Sequence, residues 1–166
     1  MSTRATIHFL NDGSEAPEAI IYRHNDGYPE GLGSDLLQFC NELQANLNDT
    51  RFGDPAYLAA RWIVWDAANH QATVRSDKDP HRCDFLGVGV VKKDPCDIEY
   101  RYRVFCRDVF GKGVKPRIVC QKVRCSYPDS VWTVEAEKVI QREQISTKKR
   151  SGVGRFVSAA ASQEDL

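Results

Sequence analysis

The residues from Arg23 to Pro29 hold the densest set of groups able to recognise an anion. Arg23, His24, Asn25, Asp26, Gly27, Tyr28 and Pro29 join the end of a strand-like segment to a helix start. A guanidinium offers charge-assisted hydrogen bonds to phosphate oxygens. Backbone N–H groups at a helix N-terminus can receive negative charge, and the Tyr28 ring can stack on a base. The same residues also make an ordinary turn, because Asp26-Gly27 tolerates positive φ and Pro29 stiffens the entry to the helix. A second basic group lies further along. Arg101 and Arg103 share one face of an alternating segment, and Lys122 and Arg124 repeat that spacing on the next. Paired in register, these would form a stripe suited to phosphate, although a solvated strand face carries the same residues to discourage edge pairing. Arg4, at the start of the first alternating segment, completes the cationic set.

Other chemistries leave weaker traces. No Gly-x-Ser-x-Gly elbow, Gly-x-x-x-x-Gly-Lys-Ser/Thr loop or Gly-x-Gly-x-x-Gly turn is present. Asp94 and Asp97 bracket a turn rather than forming an acid–base pair. The six cysteines include no Cys-x-x-Cys. Cys120 and Cys125 lie five apart, and His81 and Cys83 lie two apart, neither the tight spacing of structural zinc. The expectation is a chain without catalytic residues, cofactor or bound metal, whose cysteines are free thiols.

The elements that must position these residues follow from periodicity. Ala5, Ile7 and Phe9 alternate with Arg4, Thr6 and His8, and Ala19–His24 reads as the returning strand of a hairpin across Asn11-Asp12-Gly13-Ser14. Ser34 is placed to cap a helix carrying Leu36, Leu37, Cys40, Leu43 and Leu47. Asp54-Pro55 opens a second helix with Leu58, Trp62 and Trp65 on one stripe. Residues 71–83 read as loop. Strands are predicted over Phe85–Val91, Ile98–Cys106, Ile118–Cys125 and Val131–Ala136, the last running into a short helix near Ile140. The order ββααββββ predicts an α+β fold, an antiparallel sheet with two helices packed on one face. Residues 1–146 are expected to form one domain and residues 147–166 a loosely ordered tail.

Composition narrows the class. Hydrophobic residues make up 42% and charged residues 28%, a balance that supports a packed core rather than disorder. The 23 basic and 23 acidic side chains cancel, so net charge favours neither nucleic acid nor a membrane surface as partner. No run approaches the roughly 18 apolar residues that span a bilayer. Met1–His8 lacks the apolar stretch of a secretory leader, and the expected location is cytoplasmic.

The stretch Tyr22-Arg23-His24-Asn25-Asp26-Gly27-Tyr28-Pro29, the helix after it, and Asp94-Pro95-Cys96-Asp97-Ile98-Glu99-Tyr100-Arg101-Tyr102 resemble small phage and prophage proteins with a His-x-Asp-Gly-Tyr-Pro motif, and through them the anti-Thoeris "sponge" proteins. The resemblance covers about residues 4–106. It implies a non-catalytic homo-oligomer in the host bacterial cytoplasm that sequesters a phosphorylated signalling nucleotide, a cyclic ADP-ribose isomer, and so counteracts anti-phage defence. Taken with the physical reading, the candidate ligand-binding residues are Arg4, Arg23, His24, Asp26, Gly27, Tyr28, Arg101 and Arg103. The alternative is a protein-interaction module or an inhibitor acting directly on a host protein.

Overall fold

The computed structural model describes residues 2–45, 51–70, 87–109 and 112–140. In chain order the elements are β1 (Ala5–Asn11), β2 (Ala19–Arg23), a π turn (Pro29–Gly33), α1 (Ser34–Ala45), a 3-10 turn (Arg51–Gly53), α2 (Pro55–His70), β3 (Val88–Val90), β4 (Tyr100–Val109), β5 (Lys112–Ser126) and β6 (Val131–Val139). The six strands form one sheet in the order β3-β2-β1-β4-β5-β6. The class is α+β.

The sheet is mixed, which corrects the antiparallel expectation. β1 pairs antiparallel with β2 but parallel with β4, Ala5 opposite Tyr100 and Phe9 opposite Val104. A parallel neighbour needs a crossover, and here α1 and α2 lie within it. The π turn and the 3-10 turn also interrupt the expected plain ββααββββ run. β6 is longer than predicted. It continues to Val139 where a helix was expected, and Ile140 N–H donates to the Ile118 carbonyl at 2.9 Å. Of the predicted Phe85–Val91 strand, Val88–Val90 is paired; residues 85 and 86, the loop over 71–83 and the tail over 147–166 lie outside the described residues.

Both helices lie on one face of the sheet. Alternation on the strands sends Ala5, Ile7, Phe9, Ile21, Tyr102, Val104, Ile118 and Cys120 to that face, where Leu32, Leu36, Phe39, Leu58 and Trp62 cover them. Trp62 is fully buried and meets Phe39 edge-on at 5.4 Å. Asp54 caps α2 as its sequence predicts, its carboxylate accepting from Tyr57 N–H at 2.9 Å. Ser34 does not cap α1. The π turn carries the chain into α1, and the Ser34 hydroxyl donates back to the Glu30 carbonyl at 2.9 Å. No helix among the described residues is long and apolar enough to cross a membrane.

Candidate functional site

Register decides which of the predicted side chains can meet. Arg23 lies opposite Ala5 and points to the helix face. Arg101 lies opposite Thr6 and Arg103 opposite His8, so both point to the far face. The expected grouping of Arg23 with Arg101 and Arg103 therefore does not form; the sheet stands between them.

Arg23 is buried among carboxylates from both helices. It pairs with Asp66 of α2 and with Asp35 of α1, the latter at 3.6 Å, and its Nε–H donates to the Asn25 carbonyl at 3.0 Å. This is a ligation of two helices to a strand end, satisfied within the chain.

The turn after Arg23 is likewise self-satisfied. Gly27 N–H donates to the Thr3 carbonyl and Leu32 N–H to the Asp26 carbonyl, both at 2.9 Å, and Gly31 N–H donates to the Tyr28 carbonyl at 3.0 Å. The donors expected to receive an anion thus meet backbone carbonyls. Gly27 is required by close approach, since a Cβ there would stand 2.8 Å from the Ala5 Cβ and 2.9 Å from the Thr3 oxygen. The buried Tyr102 hydroxyl donates to the Gly27 carbonyl at 2.9 Å. Asp26 adopts φ of 55°, and Tyr28 is partly exposed at the N-cap of the π turn. His24 Nδ1 meets the Tyr22 hydroxyl at 3.0 Å.

The far face carries a polar network organised by the loop before β4. Asp94 takes hydrogen bonds from Thr6 Oγ1 at 2.6 Å and Arg101 Nε at 2.7 Å, and meets His8 Nε2 at 2.7 Å. Burial raises the Asp94 pKa, but the hydrogen bonds from His8 and Thr6 and the charges of His8 and Arg101 outweigh it and hold the carboxyl at about 2. Asp97 of the same loop pairs with Arg4. Arg101 also lies over the Trp132 ring at 5.3 Å. Arg103 pairs with the exposed Glu15 at 2.6 Å.

The expected basic stripe changes membership. Arg101 is opposite Gln121 and Arg103 opposite Val119, while Lys122 is opposite Tyr100 and so faces away from both arginines. In place of Lys122 and Arg124 the register supplies Arg117, opposite Phe105. Arg117 stacks on the Phe105 ring at 4.2 Å and Arg103 lies over the same ring at 4.8 Å. Among the described residues no carboxylate pairs with Arg117. Beside it opens a cavity of about 270 Å³ lined by Leu37, Lys115, Pro116, Arg117, Ile118, Val139 and Ile140. Two cationic residues thus line a largely apolar cavity, and the Arg117 guanidinium itself lies over Phe105 on the far face. Lys115 Nζ donates to Asn41 Oδ1 at 2.5 Å. Sequence reasoning missed Lys115 and Arg117 because it begins the fifth strand at Ile118, six residues after its start at Lys112; the signal was the alternation of Lys115 and Arg117 after Gly111-Lys112-Gly113.

Among the described residues no group of three or more His, Cys, Asp or Glu side chains is placed to hold a metal ion. Cys120 is buried against the helices and Cys125 is not, so the two do not converge; Cys83 and His81 lie outside the described residues. Compared with protein-family models, with curated proteins and with solved structures, the chain matches none.

Proposed function

We propose that the chain is a non-enzymatic binder of a small phosphorylated ligand, held at the cavity beside β5. The observation that carries the reading is a cavity lined by two cationic residues, Lys115 and Arg117, and by the apolar Leu37, Ile118, Val139 and Ile140. Phosphate oxygens would take the charged hydrogen bonds, and the uncharged part of the ligand would lie on the aliphatic surface. Arg103, coupled to Arg117 through the shared Phe105 ring, adds positive potential nearby. The resemblance described above points to a signalling nucleotide of the cyclic ADP-ribose type as ligand, and to sequestration as the result, which would counteract anti-phage defence.

Isothermal titration of the purified protein with cyclic ADP-ribose isomers tests the proposal. Each lost charged hydrogen bond is worth about 1.5–3 kcal/mol, so a double Lys115→Ala, Arg117→Ala variant is expected to bind at least about a hundredfold more weakly. Absence of heat across the ligand panel, or equal affinity of the double variant, sinks it.

A second reading, docking to a host protein, has its own support in the β5–β6 hairpin. Tyr127 at its tip is 89% exposed, and Val131 and Val134 on the edge strand are 56% and 46% exposed. Large apolar side chains left in water at a hairpin tip and edge strand can serve as interaction points. A stoichiometric partner retained by the wild type and lost from a Tyr127→Ser, Val131→Ser variant would favour this reading; retention by that variant would remove it.

A further inference from the structure

Cys96 and Cys125 stand apart from the cavity and from the Arg23 triad. Cys96 sits in the loop that carries Asp94 and Asp97, and Cys125 lies on β5 opposite Trp132. The two Sγ atoms are 2.7 Å apart. Cys96 is exposed and Cys125 half-buried, whereas Cys40, Cys106 and Cys120 are buried. Among the described residues, proximity and solvent access therefore single out one pair of thiols.

We propose that Cys96 and Cys125 form a reversible dithiol–disulfide switch that ties the Asp94 loop to the β5–β6 hairpin, with a low-molecular-weight disulfide as oxidant. The Cys96 thiolate attacks one sulfur of the oxidant RSSR, forming a mixed disulfide and expelling RS⁻. Cys125 then gives up its proton, and its sulfur attacks Cys96 Sγ, breaking the mixed disulfide and releasing a second RS⁻. The two thiols are oxidised and one RSSR is reduced to two RSH.

The local environment assigns the order of attack. Hydrogen bonds with Cys125 and with Ser130, whose Oγ lies 3.7 Å from Cys96 Sγ, lower the Cys96 pKa. The hydrogen bond to Cys96 pushes the Cys125 thiol up to about 11. The thiolate is the reactive form, so Cys96 attacks first and Cys125 resolves. In a reducing compartment the pair rests as thiols and closes under oxidation.

Closure has a structural target. The loop it pins supplies the Asp94 carboxylate to Thr6, His8 and Arg101, and the Asp97 carboxylate to Arg4. Arg101 also lies over Trp132, the cross-strand neighbour of Cys125. The bond would bracket the Arg101 network from both sides.

The full chain is incubated in glutathione buffers of graded oxidised fraction, quenched in acid, capped with maleimide and mapped by mass spectrometry. The expected product is an intramolecular Cys96–Cys125 disulfide, two hydrogens lighter, reopened by dithiothreitol. Cys125→Ser is expected to stop at a glutathione adduct on Cys96, and Cys96→Ser to acquire its adduct on Cys125 at least tenfold more slowly. Wild-type protein that carries separate adducts on both cysteines, or remains unoxidised, overturns the switch. Equal adduct rates in the two variants overturn the assigned order.

Discussion

Replacing Arg23 by Met separates a structural role from a ligand-binding role with one substitution. Arg23 is 5% exposed, and its carboxylate partners Asp35 and Asp66 are 7% and 4% exposed. Met keeps most of the aliphatic volume but removes the cation, leaving both acids buried without it. Removing one partner of a buried ion pair costs about 3–5 kcal/mol, mostly the desolvation of the charge left behind. The lost Nε–H bond to Asn25 adds to this. Against a typical domain stability of about 5–15 kcal/mol the loss is large. With a urea slope near 2 kcal/mol/M, the unfolding midpoint should fall by about 2 M, read by circular dichroism. A midpoint shift below about 0.5 M refutes the reasoning and returns Arg23 to the candidate ligand contacts.

Gly27→Ala should cost about 1–3 kcal/mol by overpacking, because the new methyl meets the Ala5 Cβ and Thr3 carbonyl; thermal unfolding measures it, and an unchanged Tm contradicts the close approach. Asp94→Asn should lose on the order of 2 kcal/mol at pH 7, since the carboxyl is lowered from 3.8 to about 2 on folding. A depressed pKa adds stability above about pH 4 that vanishes as pH falls through 2, so wild type and variant should converge in urea midpoint near pH 2; a constant gap argues against the shift. The Lys115→Ala, Arg117→Ala variant should keep the wild-type unfolding free energy within about 0.5 kcal/mol while losing ligand, because Arg117 is exposed and Lys115 half-buried. A collapse in stability would assign these residues to the core instead.

Much of the local structure was legible because periodicity is a local signal. Ile7 and Phe9 alternate into the core, Leu36, Leu37 and Cys40 face the sheet, and Asp54 caps α2, each as its spacing predicts. What escaped depends on residues far apart in sequence. Nothing within β1 announces that its second neighbour is β4 running parallel, because that choice depends on how the crossover packs. The same gap hid which arginines share a face. Arg23 and Arg101 are both strand arginines by pattern, and only the register sends one to the helices and the other to the far face. Asp94 read as a turn residue, yet its carboxylate gathers Thr6, His8 and Arg101. The helix start at Ser34 was read as an anion receptor, but the π turn ahead of it spends its N–H groups on backbone carbonyls.

The parallel contact between β1 and β4 also constrains how the molecule comes into being. Ala5 through Asn11 line up with Tyr100 through Cys106, so β1 waits for a strand made nearly a hundred residues after it. During that interval β2, α1 and α2 can shelter Ile7 and Phe9, but the other edge of β1 has no strand to pair with. Early nascent chain ending after α2 should accordingly be aggregation-prone and open to proteolysis, and protection of β1 amides should arrive together with β4 rather than with β2.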